Sequence, residues 1–304
     1  MSAWPPPALV LCAGLGTRLR PLTDYRAKPA MPVGGDTLIG RILRRLAEEG
    51  IAEAVLNLHH LPSTLTREVG DGTQYGLRVR YSWEQPRVLG SAGGPRHALP
   101  LVDGDTLLVV NGDTLCDLPL RELWERHLAS RALVTLGLMP HPEPGRYGGV
   151  TLGADLAGPL PVEGAVTGFV PRTSAVASLH FPGIQIVERA VFAPLPDDTP
   201  AESVLEVYPR LMAERPGSVH GVAFDARFED VGTIDDYLRA CRVLAGDADG
   251  NVIDARAIVD RGSILRDCVV WPDAIVPTGC ELERVVVTGH TLLAAGTMLT
   301  HAVA

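Results

Sequence analysis

From Val252 onward the chain sets an apolar residue at every sixth position: Val252, Ile258, Ile264, Val270, Val276 and Leu282. Helices repeat about every 3.6 residues and strands about every 2, so neither yields this period. A hexapeptide repeat is the signature of a β-helix, in which each apolar residue points inward from the middle of one flat side. At roughly three sides per turn, the stretch up to residue 303 makes about three coils. The expectation is a short β-helix over residues 251–304 with a structural or self-assembling role, since so few coils leave little surface for a substrate.

The preceding 245 or so residues are patterned differently. Ala8–Cys12 (ALVLC), Ala54–Leu58 and Leu77–Trp83 read as strands, and Thr106–Asn111 (TLLVVN) as a fully apolar, central one. Thr37–Glu49 and Leu118–Ser130 carry apolar residues at helical spacing. Strands alternating with helices predict an α/β fold, a mostly parallel, Rossmann-like sheet covered by helices on both faces. The short β segments between Tyr147 and Ile186 read as an insertion over one end of that sheet. Val219–Asp230 alternates as a single strand, with Val222, Phe224, Ala226 and Phe228 on one face. Thr233 and Asp236 have capping-box spacing, which predicts a helix to about Leu244. Gly246–Asn251 (GDADGN) is a linker by composition, separating a first domain (1–246) from the coils (251–304).

Charge and composition exclude several roles. The 27 basic against 36 acidic residues give a net charge of −9, which argues against a nucleic-acid binder but leaves room for a local basic pocket. No apolar run approaches the ~18–20 residues of a membrane helix, and the N-terminus lacks the basic start of a signal peptide, so a soluble, cytoplasmic chain without membrane partners is expected. Five cysteines without a CxxC predict buried free thiols, not disulfides or a zinc site. Of the 27 basic residues 26 are arginine, and Lys28 is the only lysine. A compact ammonium and a planar guanidinium do different work, so this exception asks for a chemical reason.

Chemistry concentrates in Leu11–Gly34 (LCAGLGTRLRPLTDYRAKPAMPVG), where a strand runs into a loop whose glycines let backbone N–H groups converge on an anion. GxxxxGK[ST] is absent, and the third glycine of a dinucleotide fingerprint would fall at Leu19. Arg18 and Lys28 add a forked and a point-like cation to the same loop. Asp113 follows the Thr106–Asn111 strand at its carboxyl end, where ligands bind open α/β sheets. Asp230 shares the buried parity of Phe228, so its carboxylate needs a cation or a capping role.

These motifs resemble the sugar-1-phosphate nucleotidylyltransferase family, whose G-x-G-T-R-x-x-P-x-T…K-P-x-x-P-V pattern is matched by Gly14-Leu15-Gly16-Thr17-Arg18, Pro21, Thr23, Lys28-Pro29 and Pro32-Val33. Leu89–Gly94 is similar to the family's base loop, Asn111-Gly112-Asp113 and Asp230-Val-Gly-Thr233 to its two metal-binding aspartates, and Tyr147–Val150 to its sugar segment. The resemblance implies attack of a sugar-1-phosphate oxygen on the α-phosphorus of an NTP, with Mg²⁺ held by Asp113 and Asp230. Arg18 and Lys28 are then the catalytic cations. Ala13, Gly14, Leu15, Gly16, Thr17, Glu84, Gly90, Ala92, Gly93, Asn111 and Gly112 complete the nucleotide site. Gly149, Arg172 and Gly183 are expected at the sugar phosphate. Glu163 stands in for a carboxylate missing where many members have Glu-Lys-Pro and this chain has Pro171-Arg172-Thr173. Mannose-1-phosphate guanylyltransferases carry a left-handed β-helix after this domain, which makes GTP and mannose 1-phosphate the first pair to consider. Uridylyl or thymidylyl transfer to an amino-sugar or glucose 1-phosphate, and a non-catalytic regulatory subunit, are the alternatives. Removal of residues 247–304 is expected to spare some activity and to weaken assembly or solubility.

Overall fold

A computed structural model describes residues 4–246 and 250–304, so residues 247–249 of the 246–251 linker lie outside the described residues. The chain divides into two compact units, residues 1–14, 42–60 and 69–228 in the first, and 15–41, 61–68 and 229–304 in the second.

The first unit is built on a nine-stranded sheet. Its strands are β1 (Ala8–Leu11), β2 (Glu53–Leu58), β3 (Arg78–Trp83), β4 (Thr106–Asn111), β5 (Val134–Pro140), β6 (Gly149–Leu152), β7 (Val162–Val170), β8 (Leu179–Glu188) and β9 (Val219–Ala223). They lie in the order β3-β2-β1-β4-β8-β5-β9-β7-β6. Thr106–Val110 of β4 are all buried, so both faces of the central strand are covered, as its unbroken apolar run requires. Helices α1 (Leu38–Glu48), α2 (Gly90–Ala98), α3 (Leu120–Ser130) and α4 (Tyr208–Glu214) follow the strands, α1 beginning in the second unit's part of the chain.

The expected mostly parallel sheet is in fact mixed. β3, β2, β1 and β4 run parallel, but β8 lies antiparallel between β4 and β5. The segment read as an insertion over one end of the sheet is part of it, because eight of the ten residues of β8 are buried and complete the core between β4 and β5. Val219–Asp230 is likewise not one strand. β9 stops at Ala223, and a second short strand, Phe228–Asp230, follows an irregular turn. Asp117 ties that turn by accepting from the backbone and side chain of Arg227, a long-range contact that alternation cannot reveal.

In the second unit, a two-residue hairpin turn joins Pro32–Val33 to Asp36–Thr37 through Gly34 and Gly35, both at positive φ, as a primed turn demands. The capping box at Thr233 and Asp236 forms as read and starts α5 (Ile234–Ala245). Tyr237 of α5 donates its hydroxyl proton to the Pro32 carbonyl and accepts from the Trp271 indole at 2.8 Å.

The C-terminal coils are present, with a 17-residue turn: Val252, Val269, Val286 and Val303 pair in register, as do Ile264, Glu281 and Met298. This corrects half of the inward set. Val270, Val276 and Leu282 point into the coil core, whereas Val252, Ile258 and Ile264 point outward, and Val259 and Leu265 take the places of Ile258 and Ile264. One corner of each turn is a residue short, and Gly250, Asp267, Arg284 and His301 turn it at positive φ, 17 positions apart. All five cysteines are buried free thiols. Among the described residues no helix is long and apolar enough to cross a membrane.

Candidate active site

Three charged residues converge within the second unit. Gly16 takes a left-handed conformation (φ 61°), and a Cβ there would lie 2.8 Å from the Thr23 methyl. Thr23 returns a hydrogen bond to the Gly16 carbonyl at 3.0 Å, which closes the loop over a short turn at Thr17–Leu19. Arg18 leaves this turn exposed to solvent. Lys28 opens a second tight turn, Lys28–Ala30, whose Ala27 N–H is held by Thr64 Oγ1 at 3.1 Å. Its stem is buried, and its ammonium stands 3.9 Å from Asp230 Oδ1. Gly232 leaves the space between: a Cβ there would fall 2.8 Å from Asp230 Oδ2 and 3.2 Å from Arg18 Nη1.

Asp230 is therefore buried beside the protein's own cations, which changes the argument made from parity. Lys28 already offsets part of the desolvation cost. The capping role belongs to Asp236, so Asp230 is left to face Lys28 and the cradle at Gly232.

The first unit carries the other expected residues. Ala13 is buried behind the exposed Gly14, and Leu15 begins the second unit's share of the loop. Gly112 is pressed onto β1, where a Cβ would sit 2.7 Å from Cys12 Sγ, and its N–H bonds to the Leu11 carbonyl at 2.9 Å. That contact fixes Asp113 just past the end of β4, with Thr114 Oγ1 3.2 Å from its carboxylate. Burial, with help from the Asp113 charge, pushes the Cys12 thiol far above its usual range, so it remains protonated. Gly183 (φ 87°) packs on Asn111, whose amide nitrogen lies 2.2 Å from where a Cβ would be.

Glu84, placed by sequence just before the Leu89–Gly94 loop with a base contact and a plain loop role both open, holds that loop from within. It is fully buried; Asn57 donates to one oxygen and the Leu89 N–H to the other, both at 2.7 Å. Asn57 in turn accepts from the Cys12 N–H at 2.6 Å. The carboxylate thus braces the Leu89–Gly94 segment against the end of β1, and the exposed neighbour is Gln85. Gly94 is required here, since a Cβ would come within 2.4 Å of Glu84 Oε1. Gly90, Ala92 and Gly93 start α2 directly after this brace. Asn57 was missed from sequence; a lone amide inside the apolar run of β2 was its only signal.

Among the sugar-end residues, Gly149 and Arg172 share one end of β7: Gly149 pairs with Val170, and Arg172 follows two positions later. Glu163 does not belong with them. It lies seven residues back along β7, about 20 Å at strand rise, exposed and bridged to Arg126 at 3.2 Å. The alternation that suggested it cannot measure distance along a strand.

Residues 7–246 match the model of the Nucleotidyl transferase family. The chain belongs to that family. This nucleotidyl transferase is 29% identical to a mannose-1-phosphate guanylyltransferase of Mycobacterium tuberculosis, across 96% of this chain and 82% of the relative. It is 34% identical to an N-acetylmuramate alpha-1-phosphate uridylyltransferase of Neisseria meningitidis, across 79% of this chain and 98% of the relative. Among solved structures, HddC from Yersinia pseudotuberculosis shares the fold with a TM-score of 0.66 at 21% identity, covering 79% of this chain and 99% of that one.

Proposed function

We propose that this nucleotidyl transferase moves a nucleotidyl group from an NTP to a sugar 1-phosphate, releasing pyrophosphate, with GTP and mannose 1-phosphate the first pair to test. The observation that carries the reading is the cluster of Arg18, Lys28 and Asp230 around the Gly232 cradle, on the loop closed by Gly16 and Thr23. The choice of mannose 1-phosphate and GTP leans on the Mycobacterium tuberculosis relative, matched along 96% of the chain. Uridylyl transfer is the second reading, favoured by the higher identity, 34%, to the Neisseria meningitidis uridylyltransferase.

In this proposal the loop amides of Ala13–Thr17 and the forked guanidinium of Arg18 hold the leaving pyrophosphate. Lys28 presents one compact charge to the α-phosphate, where negative charge builds between nucleophile and leaving group. Leu89–Gly93, Asn111 and Gly112 take the nucleoside, while Gly149, Arg172 and Gly183 take the sugar phosphate. Asp113 and Asp230 offer the hard carboxylate oxygens that Mg²⁺ prefers, and Gly232 keeps the side of Asp230 open. The metal would neutralise phosphate oxygens. No nucleophile of the enzyme is needed, because positioning and charge neutralisation carry phosphoryl chemistry. The reading assigns catalysis to residues 1–246 in the cytoplasm, and self-assembly to the coils of 251–304.

Pyrophosphate release from four NTPs against a panel of mannose, glucose, amino-sugar and N-acetylmuramate 1-phosphates tests it. Release from one matched pair, lost with EDTA and restored by Mg²⁺, is expected. No release from any pair would overturn catalysis in favour of a sugar-nucleotide-binding regulatory subunit.

A further inference from the structure

Outward positions of the coils fall into ladders with one rung per 17-residue turn. Val252, Val269 and Val286 form the first, and protein covers it: Val269 is 3% and Val286 0% exposed. The second ladder has the same aliphatic chemistry. Ile258 pairs in register with Ile275, and Leu292 follows 17 positions on, beside an inward Leu293 that packs in the same core as Val259 and Val276. These three residues are 63%, 50% and 91% exposed. The third ladder, Ile264, Glu281 and Met298, is interrupted by a charge. Six of the 13 large exposed hydrophobics among the described residues sit in these coils, less than a fifth of the chain. The sheet side holding Ile258, Ile275 and Leu292 is therefore built like a covered side and lacks its cover.

We infer that a second copy of this chain covers it, ladder against ladder, about a two-fold axis parallel to the coil stack. The inference rests on the self-assembly reading above and names the face, the symmetry and the contacts. An aliphatic ladder with rungs at strand spacing, about 4.8 Å, is its own best complement. The charges on its flanks choose the axis. Arg256 and Asp260 are both exposed, two residues to either side of Ile258. Rotation about an axis along the stack lays the Arg256 flank of each copy on the partner's Asp260. At the same places the later turns carry Asp273 with Pro277 and His290 with Ala294, so no like charges meet. An axis across the stack would instead set Asp273 against the partner's Asp273. Arg256 lies 3.5 Å from Asp273 of its own chain and 3.8 Å from Asp254, yet its side chain remains 64% exposed and free to reach further.

Sedimentation equilibrium of the full chain tests the inference, with the intact protein expected at twice its 32.4 kDa mass. Ile275→Glu should give a monomer with unchanged unfolding temperature and unchanged nucleotidyl transfer, and Ile258→Lys serves if that variant folds poorly. Ile275→Cys should cross-link with itself on mild oxidation, because the five native thiols are buried and do not compete. A wild-type monomer at all micromolar concentrations would overturn the assembly reading and this face together, leaving the ladder to a different protein. A wild-type dimer that survives Ile275→Glu and does not cross-link through Cys at 275 would overturn the face alone.

Discussion

Lys28 is the residue at which composition and geometry agree most closely. In a chain that otherwise uses arginine for every positive charge, it is the one Lys or Arg among the described residues that is buried as a whole, and it stands 3.9 Å from Asp230. A guanidinium is wider and commits its donors to a plane, so the tight turn at Lys28–Ala30 cannot present it as a point charge. Lys28→Arg should lower kcat by roughly 10²-fold, as loss of a well-placed electrostatic donor does. NTP binding should change much less, because Arg18 and the loop amides remain. Equal kcat and kcat/KM in the variant would leave Lys28 only a structural ion pair with Asp230. Gly232 makes the companion test. Gly232→Ala sets a methyl 2.8 Å from Asp230 Oδ2 and 3.2 Å from Arg18, so one of the two side chains must move. Turnover should fall about 10- to 100-fold with an unfolding temperature near that of wild type, since displacement of a positioned charge costs rate more than stability. Full turnover would separate Asp230 and Arg18 from the chemistry. These residues were legible because their motif is local in sequence. Glu84 and Glu163 were not, because a carboxylate's work is set by partners far along the chain: Asn57 for one, Arg126 for the other.

Elements were legible where one period governs them and misleading where the period breaks. The coils show both. A six-residue spacing correctly announced a β-helix, yet the 17-residue turn shifts the register by one position at a single corner. The signal of that shift was in the sequence as Gly250, Asp267, Arg284 and His301, but four unlike residues share no pattern until their φ values are known. The sheet shows the complementary case, since no local pattern states that β8 enters between β4 and β5. β8 also buries an ionisable group in an aromatic cage. His180 packs against His141, Tyr147 and Phe228 with ring centroids 4.6–5.5 Å away, and both ring nitrogens are buried. Burial, then the neighbouring His141, holds its pKa down at about 4. A histidine depressed in the fold is neutral there while the unfolded chain takes up its proton. Its contribution is thus complete above the ordinary value near 6.5 and is lost as pH falls from there toward about 4. That loss is on the order of 3 kcal/mol. His180→Phe keeps a ring of similar size, so its unfolding free energy should fall less than that of wild type between pH 7 and pH 4.5. Parallel pH profiles for the two proteins would show that His180 does not titrate in this way.

At the scale of the whole molecule, the division of the chain is at odds with a simple cut after residue 246. The compact unit that holds the coils also holds residues 15–41, with Arg18 and Lys28 among them. The ties within it are specific. Trp271 donates to Tyr237, which holds the Pro32 carbonyl four residues beyond Lys28; Arg26 lies 5.5 Å over the Trp271 ring; and Tyr25 stacks on His290 at 4.3 Å. Removing residues 247–304 would strip Trp271 and His290 from the segment that carries Arg18 and Lys28. The sequence alone predicts that such a truncation keeps some activity and weakens assembly or solubility. The contacts argue for a larger cost: kcat/KM should drop about 10- to 100-fold, as small misplacements of positioning groups do, and the unfolding temperature should fall. Ile275→Glu in the full chain supplies the control, since it removes assembly while keeping Trp271 and His290 in place. If the truncated chain and Ile275→Glu match wild type in kcat/KM, the coils serve assembly only. A truncation that is impaired while Ile275→Glu is fully active would show that the coils hold the Lys28 segment in its working position.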